Sequence, residues 1–81
     1  MNPSSLNSLR VGQSARVSHI EAEPAMRRRL LELGLVPGTR VTCAAVSPAG
    51  DPAAYLIRGA VIALRRKDAG GVRLGEGPAW D

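Results

Sequence analysis

Apolar and polar positions alternate along this chain in short stretches, and the period of each stretch predicts an element. Leu6 and Leu9 stand three apart before Val11-Gly12. This spacing predicts a short helical turn or an extended entry whose leucines plug a core. Ala15 to Ile20 reads as a strand, with Ala15, Val17 and His19 on one face and Arg16, Ser18 and Ile20 on the other. Glu21 to Leu35 then switches to helical spacing. Pro24 suits a first helical turn, and Glu21 and Glu23 lie near the positive end of the dipole. Gly34 can stop the helix and Pro37 prevents a restart. At ~100° per residue Met26, Leu30 and Leu33 share one stripe that should dock on the rest of the fold, with Leu31 on the other side between Arg27 and Arg28.

Pro37-Gly38 has the composition of a type II turn leading into Thr39 to Ser47, where Val41, Cys43 and Ala45 alternate with Arg40, Thr42 and Ala44. Pro48 to Pro52 is a turn. Tyr55 to Arg58 reads as a strand, Gly59 as a break or bulge, and Ala60 to Arg65 as another strand. Lys67 to Gly70 makes a tight corner before a closing strand from Val72 to Leu74. Five short strands and one short inserted α-helix predict a mainly β fold, a small bent sheet closing into a five-stranded barrel. The spacing is too tight for the crossovers of a parallel sheet. Residues 1–5 and the Gly- and Pro-rich 75–81 are expected to be flexible ends around one domain, 6–74.

With 81 residues the chain is one domain, and a domain this size buries only ~60% of the surface of its unfolded form. Its aromatics, Tyr55 and Trp80, are too few to line a groove for stacked bases or polyproline. The net charge of +4 invites acidic partners. The start lacks a signal-peptide pattern and no apolar run approaches the ~20 residues needed to span a bilayer, so a cytoplasmic protein without membrane insertion is expected.

The only histidine, His19, has no nucleophile or base neighbour at a recognisable spacing, and no glycine-rich loop carries Lys-Ser/Thr, so no enzyme is expected. His19 and Glu21 lie two apart and could both face a divalent transition metal, zinc or ferrous iron. Two donors make half of a tetrahedral site, and Glu23 or Asp51, or a second copy of the chain, would have to supply the rest. No cofactor is required by the pattern. Cys43 reads as a small core filler. Arg29 can pair with Glu32 three residues on. Arg27 and Arg28 flank Leu31, which makes that helix face a candidate contact for a partner with an acidic rim, with Leu35 and Val36 at the helix exit as additions.

The stretch Arg27 to Val41, RRRLLELGLVPGTRV, resembles the signature of the FeoA family. Tyr55 to Leu74 looks like that family's closing pattern, and Leu6 to Val17 is similar to its Leu-x-x-Leu-x-x-Gly opening. The resemblance covers Leu6 to Leu74 in the family's order. It implies an SH3-like barrel with an inserted helix, and a small cytosolic accessory of ferrous iron uptake that contacts the FeoB membrane permease. Two alternatives stay open: a small basic nucleic-acid-binding barrel, on the strength of ten arginines, and a metal-bridged homodimer with a sensing role, on the strength of His19 and Glu21. Nucleic acid is not the expected partner.

Overall fold

The computed structural model describes residues 5–75. The rest of the two expected loose ends lies outside the described residues. Of their inner members, Ser5 bridges to Arg73 and is buried, and the Gly75 amide donates to the Arg16 carbonyl at 2.8 Å.

A 3-10 turn at Leu6–Ser8 precedes β1 (Ser14–Ile20), α1 (Pro24–Glu32), β2 (Arg40–Val46), β3 (Ala53–Ile57), β4 (Ala60–Leu64), a single helical turn α2 (Arg66–Ala69) and β5 (Val72–Leu74). The strands form one antiparallel sheet in the order β4-β3-β2-β1-β5. β1 is the shared strand. Its first half pairs with β2 through Ser14, Ala15 and Arg16, and its second half with β5 through Val17, His19 and Ile20. This division of one strand between two partners bends the sheet around its core. Among the described residues no ladder joins β4 to β5.

The core is aliphatic around one ring, with Leu6, Leu30, Leu35, Val41, Ile57 and Val72 fully buried beside Tyr55. Cys43 is buried among them, and burial pushes its thiol pKa up, as it does the Tyr55 hydroxyl. Loss of solvent disfavours both anions.

Two strand alternations break where the register shifts. A bulge between Val17 and His19 turns His19 out and Ile20 in, the reverse of the faces expected from the sequence. A second shift between Cys43 and Ala45 leaves Ala45 exposed rather than inward. An extra residue on one strand moves every later side chain to the opposite face.

Three further boundaries differ from the sequence reading. β3 begins at Ala53 and stops at Ile57. Arg58 and Gly59, at φ 51° and 85°, form the two-residue turn to β4, so Gly59 is a turn centre and not a bulge. Positive φ at both central residues is the type I′ geometry that matches strand twist. The corner at Lys67 to Gly70 is a helical turn that buries Ala69.

α1 begins at Pro24 and ends in a Schellman motif. Gly34, at φ 105°, donates its amide to the Leu31 carbonyl at 3.0 Å, and the Leu35 amide reaches back to the Leu30 carbonyl at 3.1 Å. Those two bonds satisfy carbonyls that the helix end leaves open, and they fold Leu35 under Leu30 as the accompanying apolar contact. Both leucines are 0% exposed.

Candidate functional site

Leu35 was read from sequence as part of a contact surface; the cap removes it from that role, because the residue after the terminal glycine is turned into the core. Leu31 is half-buried and packs against the core instead of standing free. Met26 and Leu33, expected in the docking stripe, are also half-buried, and Leu30 alone is fully inside. A nine-residue helix anchored by one buried side chain leaves most of its circumference to solvent.

That circumference carries a shallow groove of about 500 Å³ lined by Ala22, Pro24, Arg27, Arg28, Leu31 and Glu32. Leu31 and Pro24 give it an apolar floor, and the exposed Arg27 and Arg28 a cationic rim. The structure therefore brings Arg27, Arg28 and Leu31 into one surface, as their helical spacing predicts. Pro24 and Glu32 were missed, yet Glu32 lies four residues after Arg28 and was legible from that interval. The expected Arg29–Glu32 bridge does not form: among the described residues the only ion pairs link Glu21 to His19 and to Arg73. The larger exposed apolar side chains, Val11, Val46, Leu56 and Val61, lie elsewhere, with Leu56 and Val61 facing each other across β3 and β4.

His19 and Glu21 meet at 2.9 Å between Nε2 and Oε2, and Arg73 Nε stands 3.9 Å from the other carboxylate oxygen. The hydrogen bond with His19 holds the Glu21 carboxyl below its usual range, with the Arg73 charge adding to it. Ser18 Oγ lies 3.1 Å from His19 Nδ1. No hydroxyl neighbour was expected there, because adjacent strand residues normally face opposite ways. The bulge after Val17 exposes both on one side.

The resulting Ser–His–Glu string has the order of a nucleophile, base and acid, but it lies in open solvent, with side chains 56% and 64% exposed at His19 and Glu21. Catalysis of that kind needs oxyanion donors in a water-excluding cleft. The α1 groove includes neither Ser18 nor His19. Neither does a neighbouring depression of about 370 Å³ between Glu21, Glu23, Met26, Lys67 and Asp68.

As metal donors, His19 and Glu21 are brought together, hydrogen-bonded to one another through Nε2 and Oε2, beside the Arg73 guanidinium, which repels a cation. No group of three or more His, Cys, Asp or Glu side chains gathers among the described residues. Within one copy of the chain His19 and Glu21 thus stay two donors, half of a tetrahedral site. No helix among them is long and apolar enough to cross a membrane.

The family model for the FeoA domain matches residues 4–74. A fusion protein of Fe(2+) transport protein A and Fe(2+) transporter FeoB from Porphyromonas gingivalis is 36% identical over 64 residues, which is 79% of this chain and 8% of that protein. The chain thus spans a small fraction of that relative's length. Among solved structures, FeoA from Chlorobium tepidum superposes with a TM-score of 0.80 at 38% identity, covering 86% of this chain and 67% of that one. FeoA from Stenotrophomonas maltophilia, crystallised with zinc and described as a prokaryotic SH3 domain protein, gives a TM-score of 0.80 at 32% identity, covering 90% and 91%.

Proposed function

We propose, because this chain belongs to the FeoA family, that it is an accessory of ferrous iron transport that works by docking α1 on the cytosolic part of an FeoB-type permease. The carrying observation is the relative in which an FeoA unit and FeoB are one polypeptide. Fusion holds the two units at high effective concentration, which favours a direct contact between them. The α1 groove offers one. Its Leu31 and Pro24 floor can take an aliphatic side chain while Arg27 and Arg28 pair with carboxylates around it. Rim charges of this kind steer encounter and set orientation more than they set affinity.

The bent five-stranded sheet is read here as an SH3-like barrel, a rigid base for that helix. Among the described residues no aromatic side chain lines the groove, so a polyproline ligand would find no ring to pack against there. The alternatives have less behind them. A metal-bridged homodimer has only the His19–Glu21 pair in its favour, and a nucleic-acid-binding barrel only the arginine count.

Leu31 is half-buried, so the cleanest test alters the exposed rim. Arg27→Glu with Arg28→Glu should leave the melting temperature close to that of the parent. It should also abolish co-purification with an FeoB cytosolic domain and lower iron uptake by cells that depend on the pair. Wild-type association and uptake by this folded double variant would rule out α1 as the contact.

A further inference from the structure

Arg16 and Arg40 are direct partners across the β1–β2 ladder. Val41 pairs with Ile57 in the next ladder, so Arg58, one residue beyond, stands beside Arg40 at the end of β3. Three guanidinium-bearing residues therefore form one row across three strands, on the face opposite the buried row of Ala15, Val41 and Ile57. Like charges placed opposite one another on a sheet destabilise it. Arg58 adds a local strain, since its φ of 51° is a turn position that Asn or Gly takes more readily. Strain held at a charged residue points to a role outside folding.

The row is also built rather than loose. The Arg16 Nη1 donates to the Gly38 carbonyl at 2.9 Å, which holds that guanidinium over the Pro37-Gly38 turn. A Cβ on Gly34 would lie 2.8 Å from Arg58 Cδ, so the glycine that ends α1 also makes room for the stem of Arg58. Between these side chains runs a groove of about 500 Å³ with Val36, Pro37 and Thr39 in its lining and no carboxylate among the described residues. The α1 groove contains Glu32, and the depression beside Met26 contains Glu21, Glu23 and Asp68. Among the described residues this groove therefore holds three arginines and no acidic group, against two arginines and Glu32 in the α1 groove. Neither Arg40 nor Arg58 has an ion-pair partner among the described residues.

We propose that the Arg16–Arg40–Arg58 row is a docking surface for an acidic protein segment. Its carboxylates would bridge the Arg40 and Arg58 guanidiniums, and an aliphatic side chain between them would rest on Val36 and Pro37. Guanidinium forks match carboxylates in bidentate geometry. Nucleic acid fits less well, because the groove offers apolar floor where bases would need an aromatic ring to stack on. The surface shares no lining residue with the α1 groove, so it stands independently of the permease contact.

The test is fluorescence anisotropy on the full chain with a labelled Glu-Asp-Leu-Glu-Asp peptide, and with inorganic triphosphate and a short DNA duplex as competitors. The peptide should bind the parent protein and be released by salt. The Arg40→Gln/Arg58→Gln variant should bind it about tenfold more weakly, or ~1.4 kcal/mol, whereas Arg10→Gln/Arg65→Gln, at exposed arginines that line neither groove, should bind as the parent does. Both pairs are exposed, and a thermal melt of each variant verifies the fold. Equal binding by all three proteins, or no peptide binding, would overturn the proposal. Displacement of the peptide by triphosphate or duplex at far lower concentration than by unlabelled peptide would overturn it in favour of a phosphate ligand.

Discussion

Gly70 and Gly71 stand side by side between α2 and β5, and an added methyl meets different surroundings at each. At Gly71 a Cβ would lie 2.6 Å from the Glu21 carbonyl oxygen. That oxygen belongs to backbone already tied to the same glycine, since the Glu21 amide donates to the Gly71 carbonyl at 2.7 Å. Neither strand end can move without loosening the other. Gly71→Ala should therefore cost ~1–3 kcal/mol, as overpacking of a fixed site does. At Gly70 the nearest atom is the Asn7 side-chain nitrogen at 2.9 Å, the tip of a side chain that can turn away. Gly70 has helical backbone angles, φ −63° and ψ −23°. An alanine there gains ~0.4–1 kcal/mol from the unfolded state, offset by the hydrogen bond from Asn7 to the Arg66 carbonyl that must give way. Gly70→Ala should thus remain within ~1 kcal/mol of the parent.

Urea denaturation followed by circular dichroism separates the two variants. With a slope of ~1 kcal/mol/M for a small domain, Gly71→Ala should lower the midpoint by ~1–3 M while Gly70→Ala scarcely shifts it. The melting temperature should fall by ~4–8 °C for each kcal/mol lost. Equal losses, or a larger loss at Gly70, would refute the close approach of β1 and β5 at this point.

Leu30→Ala should lose ~2–5 kcal/mol, much of the stability of so small a domain, because Leu30 is the one fully buried side chain of α1. Met26→Ala, at a half-buried position, should lose less, and a thermal melt ranks the two. Stability should also decline in alkali. Burial raises the Cys43 and Tyr55 pKa values, so the stability tied to them is whole below the ordinary values of ~8.5 and ~10 and is lost as pH rises through the folded ones. In urea midpoints measured across that range, Cys43→Ala should show a flatter decline than the parent between pH ~8.5 and ~10, and an identical slope would remove Cys43 as a cause.

The five strands and α1 were legible in the chain, whereas the helical turn α2 was not. Alternating stretches around Val17, Val41 and Tyr55, the helical interval from Met26 to Leu33, and Pro24 and Gly34 at the helix ends all carry local signals that act over a few residues. The grouping of Arg27, Arg28 and Leu31 was legible for the same reason, since helical spacing alone places them together. What the sequence left undetermined depends on contacts between distant residues. The shift that turns His19 outward follows from pairing with β5, more than fifty residues away, and no property of Ser18 or His19 announces it. Leu35 looks like any aliphatic residue after a helix until the cap folds it beneath Leu30. Arg16, Arg40 and Arg58 become neighbours only when three strands take one register. A sequence encodes periodicity and turn chemistry directly, but register is settled by the burial of both faces at once, and that is a property of the assembled sheet.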